Sequence, residues 1–219
     1  MKNYNKSYIG LRKDLLEYIQ GDFNTILDVG CATGSNGRYL LQNNLAKEVI
    51  GIEYDDSMAQ IASNCISKVF CGDLNNREFL ENIINKKYNF DYIIFGDVLE
   101  HLYNPKKVLV LLKSMLKSNG RIIISIPNIG HIELFIQVFI KGTFPTNERG
   151  IFDKTHLRWF TKKDLFDLVK MSNLEVINYK GKLRARDAKG SKFNLGTKIL
   201  KWINKDLVTH QHIVVCKHA

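Results

Sequence analysis

The sequence predicts a doubly wound α/β fold, and two patterns carry that prediction. Short continuous runs rich in isoleucine, valine and phenylalanine recur along the chain, and stretches with the period of an amphipathic helix lie between them. Continuous apolar runs are typical of strands that are buried on both faces of a parallel sheet. Strands that alternate with helices of this length indicate βαβ crossovers, with helices on both faces of the sheet.

The predicted elements follow one another in regular alternation. The strands lie at 25–29, 49–53, 68–71, 90–95 and 121–126, and two further strands lie near 175–180 and 212–217. The helices lie at 35–42, 57–63, 77–84, 105–116 and 161–171. Pro105 after Asn104 is typical of a helix start, and Asn119-Gly120 is typical of a helix end. Thr161 and Asp164 approximate a capping box for the last of these helices.

The composition favours one cytoplasmic domain over residues 1–219, opening with a helical segment at 1–24. The 4 cysteines form no C-x-x-C pair, which fits buried thiols better than a disulfide frame or a zinc site. The first 20 residues lack the apolar core of a signal peptide. The most apolar stretch, 122–140, is interrupted by proline and by polar residues, so we expect no membrane span.

Much of the formal charge of +10 lies in a basic segment at 183–210, between the last two predicted strands. Its apolar residues share one face of a predicted helix: Leu195, Ile199, Trp202 and Ile203. Such a local excess predicts an anion-facing patch rather than a surface coated by nucleic acid. Three interpretations stay open, namely a surface helix with solvated lysines, a cap over an anionic acceptor, and a weak contact with an anionic membrane.

The stretch ILDVGCATGSNG at Ile26–Gly37 places an acid and a glycine loop at the end of the first strand. Glycine lets the backbone approach a ligand and adopt positive φ. A tight turn without a ligand would explain the loop alone. However, acids lie at the ends of three successive strands, namely Asp28, Glu53 and Asp73, and α/β sheets bind ligands at such strand ends. A carboxylate there can accept hydrogen bonds from both hydroxyl groups of a ribose. The three acids together favour a nucleoside site.

The predicted ligand of this site is not a dinucleotide cofactor. That fingerprint needs glycine at the first, third and sixth loop positions, which here hold Gly30, Ala32 and Ser35. Asp28 would repel a pyrophosphate and attract a cation. A nicotinamide dehydrogenase is therefore the least favoured hypothesis.

The segments ILDVGCATGSNG, CGDL and FDYIIFGDVLEHL, with Glu53 between them, resemble the motif series of class I S-adenosylmethionine-dependent methyltransferases. The resemblance implies a seven-stranded, mostly parallel Rossmann-like sheet with an antiparallel last strand and a small cap, and it implies S-adenosylmethionine as cofactor. Ala32 stands where that family more often has glycine, and its methyl group should be tolerated. The residues assigned to the cofactor are Asp28, Gly30, Ala32, Gly34, Glu53, Tyr54, Gly72, Asp73, Leu74, Gly96 and Asp97.

The chemistry of these residues agrees with that assignment. Asp28 would attract the sulfonium and amino charges, and the loop Gly30–Gly34 would admit the methionine part. Glu53 would hold the ribose, and Asp73-Leu74 would flank the adenine. Asp97, at the mouth of the site, would contact the methionine end or cap the next turn.

An insertion at 128–160 is predicted to face the acceptor. Its end, DKTHLRWFT, resembles the D-x-T-H-L-R-F-F-T signature of bacterial methyltransferases of sugar and surface-polysaccharide pathways, which implies O-methylation of a small sugar or sugar-phosphate derivative. Nucleic-acid amino-methyltransferases carry an Asn/Asp-Pro-Pro-aromatic motif after the fourth strand, and this chain has Gly96-Asp97-Val98-Leu99 there. An RNA-modifying enzyme and a non-catalytic S-adenosylmethionine-binding partner remain as alternatives.

A hydroxyl acceptor calls for a general base. His156 is the favoured candidate because Asp153 lies three residues earlier, where a carboxylate can fix the imidazole tautomer. His101 and His131 are the other candidates, each with a structural role as the alternative. For the loop that contains Asp153 and His156, the alternative is a purely structural role in holding a lid over the active site. No metal site is predicted.

Overall fold

The computed structural model describes residues 9–185 and 194–219, and the predicted alternation of strands and helices is confirmed there. The strands are β1 (Asn24–Val29), β2 (Ala46–Glu53), β3 (Lys68–Cys71), β4 (Phe90–Gly96), β5 (Leu116–Pro127), β6 (Leu174–Leu183) and β7 (Thr209–His218). The helices are α1 (Lys13–Leu16), α2 (Ser35–Gln42), α3 (Asp56–Ser63), α4 (Arg77–Ile84), α5 (Pro105–Lys113), α6 (Ile132–Phe135), α7 (Lys162–Met171) and α8 (Leu195–Ile203). Within the predicted N-terminal helical segment at 1–24, residues 1–8 lie outside the described residues, and helix in the remainder is confined to α1.

The seven strands form a single sheet in the order β3-β2-β1-β4-β5-β7-β6. All neighbours pair in parallel except β7, which is antiparallel to both β5 and β6. The prediction of a doubly wound, mostly parallel sheet with an antiparallel last strand is thus confirmed. The strand order reverses between β1 and β4, and a ligand site is expected at the carboxyl edge beside that switch point.

The core lies on both faces of the sheet because consecutive strand residues point in opposite directions. In β1, Leu27 and Val29 belong to the apolar cluster on one face, and Ile26 belongs to the cluster on the other. All three side chains are fully buried. Burial on both faces explains why the strands appear in the sequence as continuous apolar runs.

Two predicted helix starts are confirmed in atomic detail. The Asn104 side chain accepts a hydrogen bond from the Lys107 N–H at 3.0 Å. Thr161 and Asp164 form a reciprocal capping box at the start of α7. Each cap satisfies backbone N–H groups that the first helical turn leaves without a partner.

One predicted helix end is wrong. The helix predicted to reach Leu116 and stop at Asn119-Gly120 ends at Lys113, and β5 already begins at Leu116. Leu116 is buried and pairs in register with Phe90, whose N–H donates to the Met115 carbonyl at 2.8 Å. Burial of Leu116 and this backbone pairing outweigh the local helix-stop signal.

The acceptor-side insertion and the basic segment both leave the sheet at its carboxyl edge. The insertion follows β5 and contains α6 and one π-helical turn at Ile136–Ile140. Because β6 runs parallel to β5, the chain that links β6 to β7 emerges at the same edge. No helix in the described parts of the chain combines the length and apolarity that crossing a membrane requires.

Candidate active site

A cavity of about 680 Å³ opens at the carboxyl ends of β1, β2, β3 and β4. This volume is typical of small-molecule sites, and its position is the one that the topology predicts. Most of the residues predicted for the site line it: Asp28, Gly30, Ala32, Glu53, Tyr54, Gly72, Asp73, Leu74, Gly96, Asp97 and His101. Gly34, His131, Asp153 and His156 are not among the lining residues.

Asp28 brings a buried carboxylate to the cavity wall. Its side chain is 2% exposed, and Oδ2 has no hydrogen-bond partner in the described residues of the protein. Burial raises the pKa of Asp28 to about 7, with a smaller contribution from the charge of Glu53. An unsatisfied buried acceptor is costly, and a cationic or hydrogen-bond-donating ligand would remove that cost.

The loop after β1 requires left-handed backbone at three positions. Gly30 has φ +73°, and a Cβ atom there would stand 2.6 Å from Val98 Cγ2. Ala32 has φ 48°, so the residue that replaces the more usual glycine adopts a strained conformation. Gly34 has φ +77° but faces Ala62 and Cys65, so its glycine serves the packing of α2 on α3 rather than the cavity.

Glu53 joins the first two loops of the site. Its Oε2 accepts from the Ala32 N–H at 2.8 Å, and its Oε1 accepts from the Asp55 N–H at 2.9 Å. A carboxylate offers about four acceptor positions, so these two bonds leave capacity for ribose hydroxyls. The backbone bonds hold the carboxylate in a fixed orientation beside the cavity.

The third strand end is organised through Asn75, a residue that the motif analysis did not single out. Asp73 Oδ1 accepts from the Asn75 N–H at 2.8 Å, and Asn75 Oδ1 accepts from the Tyr103 N–H at 2.8 Å. These bonds tie the loop after β3 to the loop after β4. Leu74 is 8% exposed and joins the core while also lining the cavity.

Asp97 lies in a polar network that the sequence did not indicate. Its carboxylate pairs with the Arg12 guanidinium and accepts hydrogen bonds from the Ser125 hydroxyl at 3.0 Å and from the Gln211 amide at 2.5 Å. Asp97 itself has φ 61°. Arg12 comes from the chain before β1, outside every motif, so only the fold could place it at the cavity.

His101 is the one candidate base that lines the cavity. Its Nδ1 lies 3.2 Å from the Thr155 carbonyl oxygen and 3.1 Å from the Thr155 Oγ1. The Thr155 hydroxyl donates to Asp153 Oδ1 at 2.6 Å, so both neighbours of Nδ1 act as acceptors. The network therefore assigns the proton of a neutral His101 to Nδ1 and leaves a lone pair on Nε2.

Asp153 is placed to support Thr155. Its Oδ1 also accepts from the Thr155 N–H at 2.9 Å, and its backbone carbonyl accepts from the His156 N–H at 3.1 Å. The sequence suggested that this carboxylate orients the ring of His156. The hydrogen bonds of its Oδ1 instead connect it through Thr155 to His101.

His156 lies behind His101 as seen from the cavity. It is 8% exposed, and its ring meets that of His101 edge-on at 4.9 Å between centroids. Burial lowers the pKa of His156, and His101 adds to that effect. Burial therefore favours the neutral form of His156, whose ring contacts that of His101.

His131 has a structural environment. It is 1% exposed, its Nδ1 accepts from the Glu133 N–H at 3.1 Å, and its Nε2 lies 2.8 Å from the Arg184 carbonyl oxygen. The ring caps α6 and ties the acceptor-side insertion to the chain after β6. Both ring nitrogens are engaged away from the cavity, which argues against a role as base.

Glu100, inside the stretch DVLEHL, is a buried acid next to His101 and is not among the residues predicted for the site. It is 1% exposed, and neither carboxylate oxygen has a hydrogen-bond partner within residues 9–185 and 194–219. Burial, followed by the charge of Asp97, raises the pKa of Glu100 well above its usual value. Its backbone carbonyl accepts from the N–H groups of Leu157 and Arg158, which fixes the end of the acceptor-side insertion on the cavity.

Residues 2–179 match the family model described as "Methyltransferase domain". The chain belongs to the methyltransferase-domain family. Among curated proteins, it is 26% identical over 195 residues to an uncharacterized protein of Methanocaldococcus jannaschii, covering 80% of this chain and 73% of that protein. A carboxy-S-adenosyl-L-methionine synthase of Yersinia pseudotuberculosis is 28% identical over 119 residues, which cover 49% of this chain and 48% of that enzyme.

Solved methyltransferase structures share the fold. A SAM-dependent methyltransferase from Archaeoglobus fulgidus superposes with a TM-score of 0.66 at 16% identity, covering 94% of this chain and 90% of that one. A S-adenosylmethionine-dependent methyltransferase from Clostridium acetobutylicum gives 0.60 at 14% identity, covering 94% and 88%. The methyltransferase domain thus shares its fold with these SAM-dependent enzymes. The unsatisfied oxygen of Asp28 and the close approach of Gly30 to Val98 would suit a cationic nucleoside such as S-adenosylmethionine.

Proposed function

We propose that this methyltransferase-domain protein O-methylates a small sugar or a related hydroxyl compound. The observation that carries the proposal is the position of His101, at the cavity wall beside Asp97 and supported by the Asp153–Thr155 loop. The same loop belongs to the stretch that resembles the sugar-pathway signature. A hydroxyl that enters beside His101 would meet an oriented imidazole with a lone pair on Nε2.

When bound, S-adenosylmethionine supplies a methyl group on a sulfonium that is already activated for transfer. The protein must then align the acceptor oxygen, exclude water and take up the hydroxyl proton. Asp28 and Glu53 would hold the cofactor by its positive charge and its ribose. Leu74, a buried apolar residue that follows Asp73 and lines the cavity, would cover the adenine face.

His101 is the proposed proton acceptor among the three candidate histidines. As the acceptor oxygen bonds to the methyl carbon and the carbon–sulfur bond breaks, the hydroxyl proton would pass to Nε2 and the sulfur would keep the electron pair. Asp153 would act as a positioning residue through Thr155. His156, which the sequence favoured, would contact the ring of His101 from behind.

The test combines cofactor binding with methyl transfer. Calorimetry should detect binding of S-adenosylmethionine and S-adenosylhomocysteine and none of NAD. Radiolabelled methyl transfer would then be measured over a panel of sugars, sugar phosphates and nucleotide sugars. His101→Ala should lower kcat by about 10²–10⁴-fold, the usual contribution of a general base, while cofactor binding persists.

The matched control is His218→Ala, because His218 ends β7 at the opposite edge of the sheet. That variant should retain native turnover. Near-native turnover in His101→Ala together with loss of activity in His156→Ala would assign the proton transfer to His156. Transfer to RNA and to none of the sugars would replace the proposed acceptor class.

A further inference from the structure

Glu100, His101 and His156 converge behind the acceptor end of the cavity. Each offers one ligand atom, and these atoms all lie within 4.8 Å of one another. Glu100 Oε1 and His156 Nε2 are 4.0 Å apart. Glu100 and His156 are buried, whereas His101 is half-buried and lines the cavity.

Glu100 points to a missing cation. A carboxyl group that is 1% exposed normally has its oxygens bonded to donors or to a positive charge. Among the residues that the structure describes, neither oxygen of Glu100 has a hydrogen-bond partner, and the His156 Nε2 that faces Oε1 is 4.0 Å away. The residues that it faces are imidazoles, which bind metal ions as readily as they accept protons.

The surroundings of His101 match those of a metal ligand. A metal-bound histidine usually donates its second ring N–H to a carbonyl or carboxylate, which fixes the ring and raises its basicity. His101 Nδ1 faces the Thr155 carbonyl and hydroxyl oxygens, and Asp153 in turn fixes the hydroxyl. The lone pair of Nε2 is thereby available to an ion.

We propose that Glu100, His101 and His156 bind one divalent transition-metal ion, whose open positions face the cavity and take the acceptor hydroxyl. Two imidazoles and one carboxylate suit Zn²⁺, Mn²⁺, Fe²⁺ or Co²⁺ better than Mg²⁺ or Ca²⁺. Tetrahedral bonds of about 2.1 Å set ligand atoms about 3.4 Å apart, so the three side chains must close by about an ångström around the ion. No metal site is predicted from the sequence, in which His101 and His156 lie far apart and Glu100 is not a candidate residue.

The role of the ion rests on the proposed methyl transfer, whereas its binding does not. A bound divalent ion lowers the pKa of a coordinated hydroxyl, so the acceptor reacts as an alkoxide. The hydroxyl proton would then leave to water at the cavity mouth, the oxygen–methyl bond would form, and the carbon–sulfur bond would break. With the ion bound, His101 Nε2 would hold the ion and the proton would go to water; without the ion, the same Nε2 would take the proton as proposed above. The favoured acceptors are those with two adjacent oxygens, such as a vicinal diol, because both oxygens can occupy open positions on one ion.

The test begins with metal binding alone. Protein stripped with a chelator would be titrated with Zn²⁺ and Mn²⁺ by calorimetry and with Co²⁺ by visible absorption. We expect one equivalent bound by the native chain and at least a tenfold weaker affinity in Glu100→Gln and in His156→Ala. Asp153→Asn, which leaves all three ligands in place, should weaken binding by about 10–100-fold through the support of His101. His218→Ala, the control at the far edge of the sheet, should bind as the native protein does.

Circular dichroism and S-adenosylhomocysteine binding would show that each variant is folded. If Glu100→Gln fails to fold, His101→Ala and His156→Ala carry the comparison. Absence of stoichiometric binding in the native chain, or equal binding in folded ligand variants, overturns the site. Full methyl transfer after chelation would overturn the catalytic role of a bound ion. If the ion binds but no sugar or diol is methylated, the proposed function fails while the metal site stands.

Discussion

The loop after β1 and the loop before α7 both reach the cavity, but they are held in place in different ways. The first is fixed mainly through its backbone, namely the positive φ of Gly30 and Ala32 and the hydrogen bond that the Ala32 N–H donates to Glu53. The second is fixed by side chains that belong to separate elements, with Thr155 between Asp153 and His101. A site held by backbone can be predicted from short motifs. A site held by side-chain contacts between distant regions of the chain depends on the whole fold.

The largest expected effect is on the backbone-held side. Gly30→Ala places a Cβ 2.6 Å from Val98 Cγ2 and forces a left-handed conformation on alanine. Left-handed strain and overpacking together should cost about 2–5 kcal/mol of stability, and cofactor affinity should fall by more than tenfold. Thermal unfolding and calorimetry measure the two quantities.

Gly21→Ala is the control for this variant, because Gly21 has φ +72° and nothing within 4 Å of a built Cβ. It should cost only about 1–2 kcal/mol of strain and leave cofactor affinity unchanged. Equal losses in the two variants would mean that the close approach to Val98 has no role in the site.

Next in size is the loss of Glu53. Glu53→Ala removes hydrogen bonds to a charged acceptor, each worth about 1.5–3 kcal/mol, so S-adenosylmethionine affinity should fall at least tenfold. Some of that loss comes from the Ala32 and Asp55 N–H groups, which lose their acceptor. Glu48→Ala, near the start of the same strand, is the control, and unchanged affinity in Glu53→Ala would remove the ribose assignment.

A pH dependence should follow from Asp28. The pKa of Asp28 is raised from the ordinary 3.8 to about 7. Between these two pH values the folded protein without ligand keeps a proton that the unfolded chain has lost, so Asp28 lowers the stability of the fold more and more as the pH rises from 3.8 to about 7. A cationic ligand binds the ionised form, so S-adenosylmethionine affinity should rise with pH up to about 7 and then level off, by at most about tenfold per pH unit. Asp28→Asn should bind more weakly and flatten that profile. A native profile without this rise would show that the carboxylate is ionised before the cofactor arrives.

The smallest expected effect on stability concerns α8. Trp202 is 87% exposed, and the other residues of its apolar face are exposed as well: Leu195, Ile199 and Ile203. Trp202→Ser should therefore change the free energy of unfolding by no more than about 0.5 kcal/mol. If this face contacts an anionic membrane, the same change should weaken binding to phosphatidylserine vesicles. Neither the native protein nor the variant should bind neutral vesicles. If the native chain binds neither kind of vesicle, the membrane interpretation is excluded, and a cap over an anionic acceptor or a solvated surface helix remains.

The sequence predicted the cofactor side more fully than the acceptor side for a physical reason. Asp28, Glu53 and Asp73 end consecutive strands, so a parallel sheet must bring them together whatever the loops do. Gly34 does not line the cavity, because positive φ serves packing as well as ligand approach. Arg12 had no signal, since nothing local distinguishes an arginine that pairs with Asp97 from one that faces solvent.

On the acceptor side, residue spacing was a poor guide. His156 and Asp153 are three positions apart, yet the carboxylate reaches His101 through Thr155, a contact across 54 residues of chain. Glu100 was overlooked because an acid next to a histidine in a helix start is ordinarily exposed. In the folded protein it is buried, and the N–H groups of Leu157 and Arg158 donate to its backbone carbonyl. Arg186 and Lys189 of the basic segment lie outside the described residues, so the anion-facing patch stays a prediction from the sequence.

The pairing of β6 with β7 has a consequence for how such a protein can diversify. Leu183 and Thr209 are register partners, and the Arg184 N–H donates to the Val208 carbonyl at 2.9 Å, so the two ends of the intervening chain are clamped at the sheet. Lengthening a loop whose ends are already closed costs only about 0.6 kcal/mol per doubling. The stretch between them can thus change in length at little cost in stability while β1 to β4, at the other side of the sheet, stay unchanged.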